Sequence, residues 1–306
     1  HRIAVNAGFD DYRSYIFEAK HRYDYSMEDC LEFHDSIERV CVPMMHEIQE
    51  RRREALGVAT LRPWDVSEKS GGGVDIHGRS PLRPFEDVEG LIKGCSNVFH
   101  DMSPELGGMF DMLREKESLD LESRKGKAPG GYQANLEKTR IPFIFMNAAG
   151  THDNLSTMLH EAGHAFHSCY SSDLDLIGER NPPLEFAEVA SMSMELMSQP
   201  QWSVFYSDEE ARRAKLDDLE KIVCFLPWMA TIDAFQHWVY ANPEHTHEER
   251  SEHWMELRQR FGPRTDWSGF EGLKETSWQG QLHLFQVPFY YIEYGIAQLG
   301  ALQMWQ

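Results

Sequence analysis

The sequence lacks any run of the roughly 18 apolar residues that a membrane-spanning helix requires. It is also poor in positive charge, with 30 Lys and Arg against 50 Asp and Glu and a formal net charge of −20. A surface so acidic repels the phosphate backbone of DNA and RNA. We therefore expect neither a membrane nor a nucleic acid as a partner of this protein.

Cysteine is scarce and scattered along the chain. The number of cysteines is odd and none falls in Cys-x-x-Cys spacing; they are Cys30, Cys41, Cys95, Cys169 and Cys224. This pattern is not that of a disulfide framework or of a structural zinc knuckle. It favours a reducing compartment, and we predict a cytoplasmic protein.

The sequence does contain enough apolar residues for a large folded domain. Its 306 residues are 41% hydrophobic and 12% aromatic, which is typical of globular proteins and excludes collagen-like and disordered classes. No long polar linker divides the chain, so we expect one catalytic domain over residues 1–306. The chain begins at His1 and its last predicted helix ends in apolar residues, so we also expect a piece of a longer polypeptide.

Helical patterns dominate the sequence. Ser26 and Asp29 predict a capping box at the start of a long helix, which Gly57 ends near Leu56. Further helices are predicted over 103–119, 153–170, 183–199, 208–241, 247–261 and 288–305. The expected fold class is therefore mainly α.

One short segment has the character of a strand. The apolar run 141–146 is bracketed by turn residues, and Pro142 places it at the edge of a small sheet.

The run Gly71-Gly72-Gly73 predicts a flexible loop rather than a phosphate-binding loop, because no Gly-Lys-Ser/Thr follows it.

The stretch 155–167 carries the most specific chemical signal. Its apolar residues recur at helical spacing, and His160 and His164 lie four apart on one face, with Glu161 beside them. Two imidazoles so placed can bind one tetrahedral metal ion, and the carboxylate can then activate a metal-bound water. Chance sharing of a helix face by two histidines is the competing interpretation.

Two neighbouring residues bear on that choice. Gly163 lies inside the helix, where glycine costs about 1 kcal/mol relative to alanine, so it indicates another backbone approaching closely. His167 continues the same stripe, and we interpret it as a surface or supporting histidine rather than a ligand.

A catalytic zinc site requires a third protein ligand, and the next predicted helix offers three carboxylates. Glu185 lies in the first turn, where the helix dipole alone favours a negative charge. Glu188 lies among apolar residues, where a buried carboxylate needs a partner such as a zinc ion. Glu195 shares the face of Glu188 and is either a support for a histidine ligand or a solvated side chain.

Several segments together resemble the thimet oligopeptidase and oligoendopeptidase F family of zinc metallopeptidases. They cover nearly the whole chain in order: Ala7–Asp10, Leu61–Asp65, Gly131-Tyr132, Ile141–Asn147, His160–His167, Phe186–Ala190 and Phe289–Tyr294. The first two and the last are similar to the oligoendopeptidase F branch. The resemblance implies a multi-helix zincin-type catalytic domain with a small antiparallel sheet beside the active-site helix.

The resemblance also implies roles for individual residues. His160, His164 and Glu188 match the family's ligands for one catalytic zinc ion, and Glu161 matches its general base. His283, Tyr291 and Tyr294 match groups that contact the substrate carbonyl and the transition state. The implied activity is that of a zinc endopeptidase that hydrolyses internal bonds of short peptides, and we expect the strand 141–146 to align the substrate backbone.

The sequence leaves two alternatives open. A zinc exopeptidase of carboxypeptidase type would need a charged group for a free terminus, for which only Arg124, Lys125 and Lys127 are candidates. The second alternative is a non-catalytic peptide-binding fragment. The family's N-terminal helical region and extreme C-terminus have no counterpart here, so we expect either a missing N-terminal domain or self-association through exposed apolar surface.

Overall fold

The computed structural model describes residues 1–66 and 75–306, so the predicted loop at Gly71-Gly72-Gly73 lies outside the described residues. Within them the secondary structure is mostly helical. The helices are α1 Arg2–Asn6, α2 Tyr12–Ala19, α3 Met27–Leu56, α4 Val88–Met102, α5 Pro104–Glu115, α6 His152–Ser171, α7 Leu184–Met197, α8 Asp208–Ala241, α9 His247–Arg260, α10 Glu271–Glu275, α11 His283–Gln286 and α12 Tyr291–Trp305. Short 3-10 helices cover Ile177–Arg180, Gln199–Val204 and Ser277–Gly280. The strands are β1 Leu119–Glu122, β2 Tyr132–Leu136 and β3 Ile141–Ala148.

The chain divides into two compact units. The first unit comprises His1–Arg79 and Asp217–Gly295, and the second comprises Ser80–Leu216 and Ile296–Gln306. The interpretation of residues 1–306 as one catalytic domain stays a prediction. The mainly α class with a small sheet is confirmed.

Local signals in the sequence account for the best-predicted helices. The hydroxyl of Ser26 accepts a hydrogen bond from the backbone N–H of Asp29, whose carboxylate binds back to Ser26, and Gly57 ends α3 in the left-handed conformation. This capping box and glycine stop confirm the predicted bounds of the long helix. The helix predicted over 103–119 is shorter in the structure, because α5 ends at Glu115 and β1 begins at Leu119.

The core of the second unit forms around α6. Leu155, Leu159, Ala162 and Phe166 are all buried, which confirms the predicted apolar stripe. They pack with buried side chains of α4, α5 and β3, and the rings of Phe99 and Phe166 meet edge to face at 4.9 Å between centroids. The stripe fixes α6 so that its opposite face carries the histidines.

The sheet lies beside α6 as expected, but it is mixed rather than antiparallel, because one of its two pairings is parallel. Its order is β1-β3-β2, with β3 parallel to β1 and antiparallel to β2. The prediction that the strand 141–146 lies at a sheet edge is therefore wrong, since β3 is central. Pro142 is tolerated because the pairing of β1 with β3 begins only at Ile144, so at Pro142 the described pairing is with β2 alone.

The first unit has its own aromatic core. Trp254 of α9 is fully buried and meets Trp228 and Phe235 of α8 edge to face. Arg22 and Glu293 form a buried ion pair in the same unit.

Among the described residues, none of the helices combines the length and apolarity that a membrane crossing requires.

Candidate metal centre

Helix α6 brings two histidines of the predicted site together. The helix begins with a capping box in which the side chains of Thr151 and Asn154 bind each other's backbone N–H. His160 and His164 follow one turn apart, with ring centroids 4.9 Å apart and planes nearly perpendicular. Both side chains keep about a fifth of their surface exposed, so both can face a ligand.

Gly163 explains how the third carboxylate reaches these histidines. A Cβ atom at this position would lie 2.6 Å from Cα of Ser191 and 2.7 Å from the carbonyl oxygen of Ala190, both in α7. The predicted close backbone approach is thus present, and it is made by α7. The crossing brings the buried Glu188 to the histidine face of α6.

The donor atoms of His160, His164 and Glu188 converge on one point. Oε2 of Glu188 lies 3.1 Å from Nε2 of His160 and 3.4 Å from Nε2 of His164. All three donor atoms lie within 4.8 Å of one another. Ligands about 2.0–2.1 Å from a tetrahedral zinc ion are separated by about 3.3 Å, so the spacing fits a zinc ion.

Further contacts orient these side chains. Nδ1 of His160 lies 2.7 Å from Oε1 of Glu195, an arrangement that leaves Nε2 available for a metal. The hydroxyl of Ser191 lies 3.1 Å from Oε2 of Glu188. Ser191 was missed by the sequence reasoning, although its position one turn after Glu188 is the spacing at which helical side chains meet.

The electrostatics of the site favour a negative Glu188. Burial alone would raise its pKa, but hydrogen bonds with His160 and His164 hold the pKa of this carboxyl well below its usual range. Burial alone would lower the pKa of His160, but Glu188 and Glu195 raise it to about 10. The carboxylates therefore attract positive charge to this point, and a metal ion would take the place of the imidazole proton.

Glu161 lies next to the donor cluster and is largely buried. Burial raises its pKa, and the two neighbouring histidines oppose this rise. An open cavity of about 410 Å³ gives access to the carboxylate; it is lined by Gly131, Asp153, Ser156, Thr157, His160, Glu161 and Glu195. A carboxyl with a raised pKa at the wall of a cavity is suited to receive and release a proton.

The other predicted site residues cluster in the first unit. The ring of His283 lies 4.9 Å from that of Tyr291 and 5.9 Å from that of Tyr294, between centroids. Tyr291 is buried, which raises its pKa to about 12, whereas Tyr294 is partly exposed. The structure thus brings these three residues together, and their contact with a substrate stays a prediction.

Residues with weaker signals fall outside the donor cluster. Neither Glu185 nor His167 belongs to the described groups of side chains that could hold a metal ion. His167 is half-buried, and burial lowers its pKa. The interpretation of His167 as a supporting or surface residue therefore remains the simpler one.

Two histidines and one glutamate on adjoining helices are a donor set of catalytic zinc sites in hydrolases. The mainly helical fold and this donor set together are those of a metallopeptidase. Residues 1–306 match the model of Peptidase family M3, and the chain belongs to this family.

Individual relatives agree with this assignment. The chain is 24% identical to an oligoendopeptidase F homolog of Lactococcus lactis subsp. lactis (strain IL1403) over 215 residues, which are 69% of this chain and 32% of that protein. It is 35% identical over 159 residues, 51% of this chain, to the oligopeptidase PepF of Bacillus subtilis (strain 168), of which 22% is covered. The solved structure of PZ peptidase A with an inhibitor superimposes with a TM-score of 0.90 at 34% identity, covering 99% of this chain and 53% of that one. The chain thus spans about a third or less of the curated relatives and about half of the solved one.

Proposed function

We propose that this chain is the catalytic portion of a zinc-dependent endopeptidase that hydrolyses internal bonds of short peptides. The observation that carries the proposal is the convergence of His160, His164 and Glu188 beside a cavity that also contains Glu161. Family membership supports peptide hydrolysis as the chemistry. The donor set supports one catalytic zinc ion.

The chain's own residues supply the proton transfers of this reaction. When bound, zinc would act as a Lewis acid toward the carbonyl oxygen and lower the pKa of the attacking water. Glu161 takes a proton from the water nucleophile and later delivers it to the leaving amine. Glu195 holds His160 in one orientation through Nδ1, and Tyr294, Tyr291 and His283 are the proposed donors to the oxyanion.

The substrate backbone is proposed to pair with β2. The expectation that the strand 141–146 aligns it does not hold, because β3 is covered on both sides by β1 and β2. β2 is an outer strand, and Gly131, which precedes it directly, lines the cavity that contains Glu161. An extended peptide added to β2 would therefore run past the proposed base.

The structure gives less support to an exopeptidase. Lys127 is buried with its amino group 3.0 Å from a carboxylate oxygen of Asp120, and Arg124 binds the same carboxylate at 2.6 Å. Both cations are thus paired within the second unit, and of the three candidates only Lys125 is left for a free terminus. The intact donor cluster also disfavours a purely peptide-binding role.

A reducing cytoplasm remains the proposed location. All five cysteines lie among the described residues and are free thiols. Three of them, Cys30, Cys95 and Cys224, are buried. We base this proposal on the cysteine pattern alone.

Replacing Glu161 by Gln tests the proposed base. Glutamine keeps the shape of the side chain but cannot accept the proton, so turnover of a quenched-fluorescence peptide should fall at least about 10²-fold. Zinc content and peptide binding should stay unchanged. Near-normal turnover in Glu161→Gln would remove this residue from the mechanism.

Product mapping separates an endopeptidase from an exopeptidase. Peptides blocked at both termini should be cut internally at rates similar to those of unblocked peptides. Strict dependence on a free terminus would favour the exopeptidase. As a test of metal dependence, removal of zinc by a chelator should abolish cleavage of both kinds of peptide by the wild-type chain.

A further inference from the structure

The first unit contains a second cluster of side chains of the types that can hold a metal ion, at the contact of α3 with α8. Cys30 and His34 lie one helical turn apart on α3, and Asp233 and His237 lie one turn apart on α8. Their exposed fractions are 2%, 1%, 0% and 5%, in that order. None of the four has a part in the proposed peptidase chemistry.

The donor atoms of three of these residues converge. One donor atom each from Cys30, Asp233 and His237 lie within 4.8 Å of one another. Nε2 of His237 lies 3.4 Å from Oδ2 of Asp233, and Nε2 of His34 lies 3.0 Å from the same oxygen. The sulfur, oxygen and nitrogen donors thus lie around one point, and His34 contacts the carboxylate without belonging to this group of three.

Several polar atoms of this cluster have no partner within the part of the chain that the structure describes. They are Oδ1 of Asp233, both ring nitrogens of His237 and Nδ1 of His34. The contact of His237 with Asp233 is a long one, and the shorter hydrogen bond to this carboxylate is that of His34. Buried polar groups are costly unless they are hydrogen-bonded or coordinate a cation, so the hydrogen bonds between protein atoms leave part of this cluster unsatisfied.

We propose that Cys30, Asp233 and His237 bind a zinc ion that links α3 to α8, and that His34 is a positioning residue for Asp233. Zinc accepts thiolate, imidazole and carboxylate ligands together, whereas magnesium and calcium prefer oxygen alone. Ligands one turn apart on each of two helices require no loop of their own. The burial of all four side chains makes this a structural site.

Sequence patterns alone do not reveal this site. Cys30 and Asp233 are 203 residues apart in the chain, so no local ligand spacing identifies the site. The expectation that the cysteines form no zinc knuckle of the Cys-x-x-Cys kind is compatible with it, because only one cysteine takes part.

Cobalt provides a probe that distinguishes this site from the peptidase site. The proposed peptidase ligands contain no sulfur, so a thiolate-to-cobalt charge-transfer band in the near ultraviolet can arise only where a cysteine binds the ion. We expect the folded chain, stripped of metal and loaded with Co2+, to show this band. Its absence from the folded, cobalt-loaded wild-type chain would overturn the proposal.

Matched cysteine variants assign the band. Cys30→Ser should abolish it and remove one equivalent of bound metal, whereas Cys224→Ser, at another buried cysteine of the same unit, should leave both unchanged. Asp233→Asn should weaken cobalt binding at this site. If Cys30→Ser folds and keeps the band, the ligand is another cysteine and the proposal is wrong.

The role of His34 has a separate measurement. An outer partner of a ligand typically contributes 10–100-fold to metal affinity, so His34→Gln should reduce the cobalt affinity by about that factor while the charge-transfer band persists at saturation. Loss of the band at saturating Co2+ would instead make His34 essential to the site, contrary to the proposal.

The proposal does not depend on the peptidase function. A His160→Ala/His164→Ala double variant should lose peptide hydrolysis and one equivalent of metal but keep the thiolate band. If the chain is not a peptidase, the thiolate-to-cobalt band should still appear. If Cys30, Asp233 and His237 do not bind a metal, the band should be absent while peptide hydrolysis at the site of His160, His164 and Glu188 continues.

Discussion

His160 has two carboxylate neighbours, and the structure gives them different positions. Glu188 faces Nε2 of the ring, on the side shared with His164, whereas Glu195 lies 2.7 Å from Nδ1 on the other side. A carboxylate on the Nε2 side is in place to bind a metal directly. One on the Nδ1 side can only orient the ring and make it a better donor.

This difference predicts a graded loss of zinc affinity. Glu188→Gln removes the only anionic ligand of the three and should weaken zinc binding the most. Glu195→Gln removes a hydrogen-bond acceptor for His160 and should weaken binding by about 10–100-fold. Competition titration with a chromophoric chelator measures both affinities.

Glu185→Gln is the matched control on the same helix, since Glu185 lies in the first turn of α7 and outside the donor cluster. It should bind zinc like the wild-type chain. Full zinc affinity in Glu188→Gln together with a loss in Glu185→Gln would exchange the roles of these two residues.

The sequence predicts those parts of the site that depend on short spacings. His160, Glu161 and His164 lie within a single turn, and helical spacing alone places the histidines on one face. The choice of Glu188 over Glu185 rested on its apolar neighbours and on family resemblance. Whether Ser191 contacts Glu188 depends on the rotation of α7 about its axis, which the sequence does not specify. The cluster that contains Cys30 forms only where α3 meets α8, two helices that are far apart in the sequence.

The crossing of α6 and α7 is the feature on which the donor cluster depends. The two helices approach so closely at Gly163 that any side chain there would overlap the backbone of α7. Backbone atoms cannot move aside as the end of a flexible side chain can. The glycine therefore sets the distance between the histidines and Glu188.

We predict that Gly163→Ala lowers both stability and zinc affinity. The added methyl group meets Cα of Ser191 at 2.6 Å, and overpacking of this kind costs about 1–3 kcal/mol of the free energy of unfolding. Relief of the overlap must separate α7 from α6 and so draw Glu188 away from the histidines. Chemical denaturation and zinc titration measure the two effects.

Gly108→Ala in α5 is the control for helix propensity. A Cβ atom at Gly108 meets nothing within 4 Å, so this variant should gain about 0.5–1 kcal/mol of stability. A similar gain in Gly163→Ala would show that the close crossing does not restrict the site.

The elements that sequence patterns predicted best carry their own end signals. Ser26, Asp29 and Gly57 fix both ends of α3 through local hydrogen bonds and a left-handed residue. The position of β3 within its sheet is different, because it depends on β1, a strand that no local pattern predicts. Tertiary pairing, rather than local propensity, decides such short strands.

The tyrosines of α12 permit a test of the proposed oxyanion donors. Tyr294 is partly exposed, whereas Tyr291 is buried. Tyr294→Phe removes one hydroxyl and leaves the ring packing, so kcat should fall by about 10²–10³-fold if the hydroxyl stabilises the transition state. KM and zinc content should change little.

Tyr291→Phe should have the smaller effect, and Tyr23→Phe, at an exposed tyrosine of the first unit, should have none. Unchanged kcat in both Tyr294→Phe and Tyr291→Phe would mean that the aromatic cluster is packing only. His283 would then be the remaining candidate of the three.

The chain spans only part of the length of its relatives. It covers 53% of the solved PZ peptidase A and 32% of the oligoendopeptidase F homolog of Lactococcus lactis. Surface that is covered in a longer protein can be exposed in a shorter one. Large apolar side chains that are more than half exposed occur in both units, for example Leu176 and Ile177 in the second and Leu273 in the first.

We predict that the isolated chain self-associates through the segment that contains Leu176 and Ile177. The two residues are adjacent and are 64% and 56% exposed, and exposed apolar surface of this kind favours association. Light scattering should show a mass that rises with protein concentration and that falls in a Leu176→Ser/Ile177→Ser double variant. Leu273→Ser, at a single leucine that is 62% exposed in the first unit, should associate like the wild-type chain. A constant monomer mass for the wild-type chain over the whole concentration range would contradict the prediction, because the exposed pair would then have no partner to bury it.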